Sequence, residues 1–185
     1  MSIVIRKGTP EDTEPMLRFL REVWEAMAHK EWFFLSPAEE TREMMASGAM
    51  ELWTAMDGSR LAGVFTIVRP GLGRDNYGYD LGLTEGELLR VVNMDTAAVH
   101  PDYRGQGLQK RLMEFAEAQI AGEGAHILLC TVHPENRFSL ENVLNQGYTI
   151  QKKLEKYGSE RYVLRKDVGM NCQSRGKCGK LENNY

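Results

Sequence analysis

Pro101-Asp102-Tyr103-Arg104-Gly105-Gln106-Gly107-Leu108-Gln109 falls between a β-type run, Leu88 to Val99, and a helical run, Gln106 to Ala121. The helical run carries Leu108, Leu112, Phe115, Ala116 and Ile120 on one face, and His126 to Val132 beyond it reads as a buried strand. Strand, glycine turn, helix and strand make a β-α-β unit, which calls for a right-handed crossover and parallel pairing. Glycines in the turn allow a tight bend and let an anion approach the free N–H groups of the first helical turn, where the helix dipole is positive. This helix opens with Gln109, Lys110 and Arg111 and no acid, whereas the two helices before it open with Glu11 and Asp12, and with Glu39 and Glu40, as dipole compensation expects. A bound phosphate would supply the missing negative partner; the competing reading is a glycine turn with solvated cations. The dinucleotide fingerprint needs a third glycine where Lys110 stands, and the P-loop needs a Gly-Lys-Ser/Thr ending that does not occur.

Outward from this unit the chain alternates recognisable elements. Ile3 to Arg6 is a short β-branched run, and Thr9-Pro10-Glu11-Asp12 supplies an N-cap, a helix-opening proline and first-turn acids for a helix reaching about Lys30. Its core stripe is Met16, Leu20, Val23 and Met27, with Leu17 and Trp24 beside it. Ser36-Pro37-Ala38-Glu39 opens a second helix that Gly48 closes, leaving Trp32, Phe33 and Phe34 in the connection, either as core filling or at a pocket mouth. Glu51 to Met56 and Arg60 to Arg69 form a hairpin about Asp57-Gly58-Ser59. Pro70 to Gly86 holds five glycines and the acids Asp75, Asp80 and Glu85; it reads as a long loop, either bordering a site or a mobile excursion. Glu135 to Asn145 is a further helix, and Tyr148 to Leu154 with Arg161 to Lys166 close the domain as a hairpin about Tyr157-Gly158-Ser159. The order is β-α-α-β-β-β-α-β-α-β-β over a single domain at 1–168, followed by a polar tail at 169–185 that reads as disordered.

Composition narrows the function. With 185 residues, 42% hydrophobic and 26% charged, the chain suits one soluble globular domain. No apolar run approaches the roughly 18 to 20 residues of a membrane span, and Met1 to Gly8 has no signal-peptide core, so a cytoplasmic address and no membrane partner are expected. Cys130, Cys172 and Cys178 are too few for a disulfide framework and lack the second ligand pair of a zinc site, so no metal is expected. A net charge of -3 removes the broad attraction to phosphate backbones that nucleic-acid binders use. The charges from Lys152 to Lys166 alternate faces along strands and make no single basic patch.

The element order, Val99-His100-Pro101-Asp102-Tyr103-Arg104-Gly105-Gln106-Gly107 and the later Asn136-x-x-Ser139 resemble the GCN5-related N-acetyltransferases over about residues 2 to 167. The resemblance implies an α/β fold with a mixed, mostly antiparallel sheet flanked by helices and a central β-α-β unit that binds acyl-CoA. The family's pyrophosphate motif, Q/R-x-x-G-x-G/A, is matched by Arg104 and Gly107, with Gln109 where a final Gly or Ala is usual. The resemblance assigns the backbone of Arg104, Gly105, Gln106, Gly107, Leu108 and Gln109 to coenzyme A. It also implies a β-bulge near Ala97 and Ala98, with the pantetheine arm held by the backbone of Ala97, Ala98 and Val99. By similarity Asn136 contacts the pantetheine arm and Ser139 lies near the phosphates; helix N-terminal hydrogen bonding is the alternative for both.

Transfer of acetyl from acetyl-CoA to the amine of a small molecule or peptide needs a base. Asn93 and Asp95, two apart on the strand before the expected bulge, share a face. Asp95 is the candidate base, directly or through water, provided burial raises it from an ordinary value of about 3.9; otherwise it orients substrate. The family's usual acid, a Tyr seven residues after the Asn, is replaced by Val143, so the leaving thiolate takes its proton from water, His133, Cys130 or a nearby Tyr. His133, just past a strand end, is a further candidate for the pocket, with a structural role as the alternative. Val143 also keeps open an acetyl-CoA-binding sensor or partner module without turnover. Monomer and homodimer both remain open.

Overall fold

Seven strands form one sheet in the order β1-β2-β3-β4-β5-β7-β6 in a computed structural model that describes residues 3–169. They are β1 Val4–Lys7, β2 Met50–Asp57, β3 Arg60–Val68, β4 Val91–Val99, β5 His126–Val132, β6 Thr149–Lys156 and β7 Ser159–Val168. Only β4 and β5 pair in parallel; every other neighbour is antiparallel. Mixed, mostly antiparallel and flanked by helices, the sheet has the architecture implied above. The expected tail, with Cys172 and Cys178, lies outside the described residues except for Gly169.

The helices are α1 Thr13–Glu25, α2 Ala38–Ser47, α3 Glu85–Leu88, α4 Leu108–Glu123 and α5 Arg137–Asn145. On one face of the sheet α4 buries Leu108, Leu112, Met113, Ala116 and Ile120 against Phe65, Met94 and Leu128. Phe115, expected in that stripe, is 52% exposed. At about 100° per residue it falls just outside the Leu108 edge of the arc that Leu108, Ala116 and Ile120 define, while Met113 extends the arc at its opposite edge. On the other face α1 buries Met16, Phe19, Leu20 and Val23 against Leu52, Val64 and Ala98. The α1 helix stops at Glu25, short of Lys30, because the Lys30 ammonium folds back to donate to the carbonyls of Trp24 (3.0 Å) and Glu25 (3.2 Å), satisfying acceptors that a helix end leaves open.

The stretch from Pro70 to Gly86 is not a mobile excursion but a fastened cover. Asn76 is buried; its Nδ2 donates to Gly71 (2.6 Å) and Leu88 (3.0 Å) carbonyls and its Oδ1 accepts from Gly78 N–H. Tyr77 packs with Val91, Ile127 and Leu129, and Leu81 and Leu83 join them. The stretch ends in α3, opened by a Thr84–Glu87 capping box, so β4 begins at Val91 rather than Leu88.

Two irregularities open the middle of the sheet. Thr66 pairs with Thr96 but Ile67 pairs with Met94, leaving Asp95 as the extra residue of a bulge. The bulge was expected near Ala97 and Ala98, which instead pair regularly with Phe65 and Val64. The cause is the Thr66 hydroxyl, which accepts the Thr96 N–H (3.2 Å) in place of a ladder carbonyl. The parallel pairing of β4 with β5 runs only from Val91↔Ile127 to Asn93↔Leu129, so the strands diverge from Met94 onward.

Candidate active site

The divergence of β4 from β5 opens a groove of about 720 Å³, walled by Ala97, Ala98 and Val99, the Arg104–Gln109 turn, the start of α5 and the end of α1. Gly105 and Gly107 have φ of +76° and +66°, the left-handed region that glycine adopts without penalty. A Cβ built on either would meet nothing within 4 Å, so backbone conformation alone selects glycine here and the space above the turn is open. Gly107 caps α4 with no side-chain acceptor, and the first turn carries no acid. Its N–H groups therefore have neither an intrahelical nor a capping partner. Among the residues expected to hold coenzyme A, Gln106 is absent from the groove wall, and the other ten are in it.

Gln109 and Ser139 meet across the groove: Gln109 Nε2 donates to Ser139 Oγ at 3.3 Å. Asn136 caps α5, its Oδ1 accepting from Ser139 N–H at 3.2 Å. The capping role thus exists for Asn136 while its side chain still lines the groove. Tyr103, Lys110 and Phe138 also line it without having been singled out in the sequence; Phe138 is 85% exposed on α5, an unusual place for a large apolar ring. The fit to an acyl-CoA is good: the volume lies within the roughly 300 to 1,000 Å³ of small-molecule sites, the floor is apolar, and the phosphate end is donors without acids.

Behind Trp32, Phe33, Ala97, Gln109, Asn136 and Ser139, which belong to both spaces, lies a second cavity of about 90 Å³. Its remaining wall comes from far apart in the chain and includes Phe34, Tyr77, Asp95, Cys130, Tyr157 and Arg161. Trp32, Phe33 and Phe34 thus line a pocket, and Phe33 also packs against the core beneath α1. Phe34 stacks on Tyr157, ring centroids 4.2 Å apart.

The bulge places the Asp95 carboxylate in this wall. Its Oδ2 accepts from Thr96 Oγ1 (2.9 Å) and Thr66 Oγ1 (3.2 Å), and Tyr77 Oη reaches its Oδ1 at 3.5 Å. Burial pushes the Asp95 carboxyl above the usual carboxylate range, against the lowering effect of those three hydroxyls. Tyr77 and Tyr157 share a hydroxyl–hydroxyl bond of 3.0 Å, and burial raises both phenols. Burial likewise pushes the Cys130 thiol far up, which keeps it protonated and a poor nucleophile. Neither Tyr77 nor Tyr157 was readable as a site residue. Tyr157 takes φ +58° in the turn before Gly158.

Two expected catalytic residues are placed elsewhere. Asn93 is buried outside the cavity wall, its Nδ2 donating to the Asp75 carbonyl (2.8 Å) and its Oδ1 facing Tyr77 N–H (3.4 Å). Because the bulge falls between them, Asn93 fastens the cover while Asp95 alone faces the cavity. His133 is in the wall of neither cavity; its Nδ1 accepts from Glu135 N–H (3.2 Å), a turn-forming contact before α5. Val143 is buried in the core beside the cavity. Of the other tyrosines near α4, Tyr148 donates to Glu117 (2.8 Å) and Tyr103 to Asp57 (3.0 Å), so their protons are engaged away from the site. Among the described residues no group of three or more His, Cys, Asp or Glu is placed to hold a metal ion, and no helix is long and apolar enough to cross a membrane.

Comparison with known proteins bears on the whole arrangement. The sequence model of a family described as acetyltransferase (GNAT) family matches residues 16–148. No curated protein matches the chain in sequence. Among solved structures, a GNAT-family acetyltransferase from Streptococcus pneumoniae is similar at a TM-score of 0.69 and 18% identity, covering 91% of this chain and 100% of that one. Arabidopsis thaliana NAA60 in complex with acetyl-CoA is similar at 0.71 and 16% identity, covering 91% and 100%. The ribosomal-protein-alanine N-acetyltransferase of Brucella melitensis is similar at 0.68 and 16% identity, covering 89% and 99%.

Proposed function

This chain belongs to the acetyltransferase (GNAT) family, and on that premise we propose that it moves an acetyl group from acetyl-CoA directly to the amine of a small molecule or peptide. The observation that carries the reading is the junction of the two spaces: a groove of unpaired backbone donors meets, at Ala97 and Gln109, a smaller cavity holding a buried carboxylate. Acetyl-CoA supplies an acetyl group activated as a thioester. The Arg104–Gln109 turn, with Lys110 beside it, would hold its phosphates, and the backbone of Ala97 to Val99 with Asn136 would hold its pantetheine arm.

The chain's own groups then do the proton work. A raised pKa brings Asp95 closer to the range in which a base takes a proton efficiently, and the carboxylate holds that proton within the cavity. The Ala97 N–H is the donor suited to charge developing on the carbonyl oxygen. Tyr157 faces the same cavity with an O–H that Tyr77 can replenish, which offers the leaving sulfur a proton source where Val143 has none. The aromatic wall, with Tyr77 from the 70–86 cover, lines the reacting centre. A buried base beside the donor groove favours turnover over a binding module.

Thiol release from acetyl-CoA across a broad amine panel, with the N-acetylated product identified by mass spectrometry, tests the proposal. Acetyl-CoA binding with no amine-dependent release would overturn it.

A further inference from the structure

Arg161, on β7, stands in the wall of the acceptor cavity, and amine transfer as described gives it no task. It is 4% exposed. One terminal nitrogen donates to the Trp32 carbonyl (2.9 Å) and the other to the Glu31 carbonyl (2.7 Å). Nε is buried with no hydrogen-bond partner among the described residues, and no carboxylate among them forms an ion pair with the guanidinium. Burial accordingly lowers its pKa, opposed only by the Tyr157 and Tyr77 hydroxyls.

A buried cation without a counter-ion is strongly disfavoured, and buried charges are ordinarily paired. The negative group of the same cavity, Asp95, is engaged by Thr96, Thr66 and Tyr77 rather than by Arg161. A cation and an anion thus line one small cavity, neither neutralised by the other. Such a pair complements a molecule carrying both charges. With both terminal nitrogens donating to main-chain carbonyls, Nε–H is the donor left without an acceptor, and a carboxylate oxygen meets it in charge as well as in hydrogen bonding.

We propose that the acceptor is a free amino acid or a comparably small amino-carboxylate, its carboxylate held by Arg161 and its amine presented to Asp95. The assignment rests on the transfer reading above and narrows it. In a peptide the first residue's α-carboxylate is consumed as an amide, and a polyamine brings a second cation towards Arg161.

The test gives the full chain a matched panel: the twenty free amino acids, their carboxamides and the corresponding decarboxylated amines. Acetylation is followed by mass spectrometry, and acceptor binding to the coenzyme A-loaded protein by calorimetry. At least one free amino acid is expected to be acetylated with a kcat/KM on the order of 10² above its carboxamide, as for a site built to bind a group that the analogue lacks. Arg161→Gln should bring that ratio near one, and Arg161→Lys should restore part of it. Arg161 also holds two main-chain carbonyls, so if Arg161→Gln does not fold the wild-type ratio decides alone. Amines or carboxamides acetylated as well as their matched amino acids would overturn the amino-carboxylate assignment and leave the transfer reading standing. Carboxylate-dependent binding without acetylation would support the assignment and overturn the transfer reading. Absence of both binding and acetylation for every free amino acid would overturn the assignment.

Discussion

The donor groove and the acceptor cavity touch at Ala97 yet are built on different principles. The phosphate end of the groove is made of consecutive residues, Arg104 to Gln109, with glycines at φ +76° and +66°. The cavity is made of side chains brought from the α1–α2 connection, the 70–86 cover, β4, β5, the β6–β7 turn and β7. A contiguous backbone site tolerates most changes that keep its dihedral angles and its charge. An assembled side-chain site fails when any one contributor is moved.

The sharpest test of that contrast is Asp95→Asn, which keeps shape and removes basicity. With a working acceptor, kcat should fall by roughly 10² to 10⁴, about 3 to 5 kcal/mol of barrier, while acetyl-CoA affinity measured by calorimetry stays the same. A rate equal to wild type from pH 6 to 10 would remove Asp95 as the base. Next in size is Asn76→Ala, a change outside the cavity that strips three buried hydrogen bonds from its cover. It should cost on the order of 2 to 3 kcal/mol in denaturant unfolding and raise the acceptor KM; a stable variant with unaltered KM would mean the cover does not hold the cavity together.

On the donor side, Gly107→Glu places an L side chain at φ +66° and an acid at an uncapped helix N-terminus. Acetyl-CoA should bind at least about tenfold more weakly, about 1.4 kcal/mol, and unchanged affinity would move the phosphates elsewhere. The smallest effect sets Asp95 against a carboxylate remote from both spaces. The Arg6 guanidinium holds Asp12 down to about 2, so its contribution is present above its unfolded pKa and lost as pH falls through the folded value. As an exposed pair it contributes only about 0.5 to 1 kcal/mol. Asp95 is raised, so the folded state binds its proton more tightly than the unfolded chain, and stability falls as pH climbs from its unfolded value through its folded one. Urea midpoints from pH 2 to 7 should therefore show Asp12→Asn losing stability at the upper end of the range and Asp95→Asn losing the upward-pH decline. Slopes of the same sign in both variants would contradict the assigned surroundings.

Most of the element order was legible because each helix and strand carries its own period. The geometry of the turn at Arg104–Gln109 was legible because it resides in adjacent residues. The bulge was misplaced by two residues because its cause, the Thr66 hydroxyl on β3, lies on a different strand. Tyr77, Tyr157 and Arg161 escaped for the same reason: nothing in their local sequence distinguishes a tyrosine in a turn or an arginine in a strand from a solvated one. The 70–86 stretch concealed a usable signal, Thr84-x-x-Glu87, the spacing of a capping box.

The divergence of β4 from β5 also bears on how the molecule carries load. Across the middle of the sheet the two halves, β1 to β4 and β5 to β7, are joined by register pairs at Val91, Val92 and Asn93 alone. The rest of the connection is side-chain packing beneath α4 and around Tyr77, together with bonds such as Arg161 to the Trp32 carbonyl and Lys156 to Asp80. A ligand lying along Ala97 to Val99 and reaching Asn136 would bridge that seam from the open side, so occupancy of the groove would act as a mechanical splice, completing with a removable strand the continuity that the polypeptide leaves unfinished.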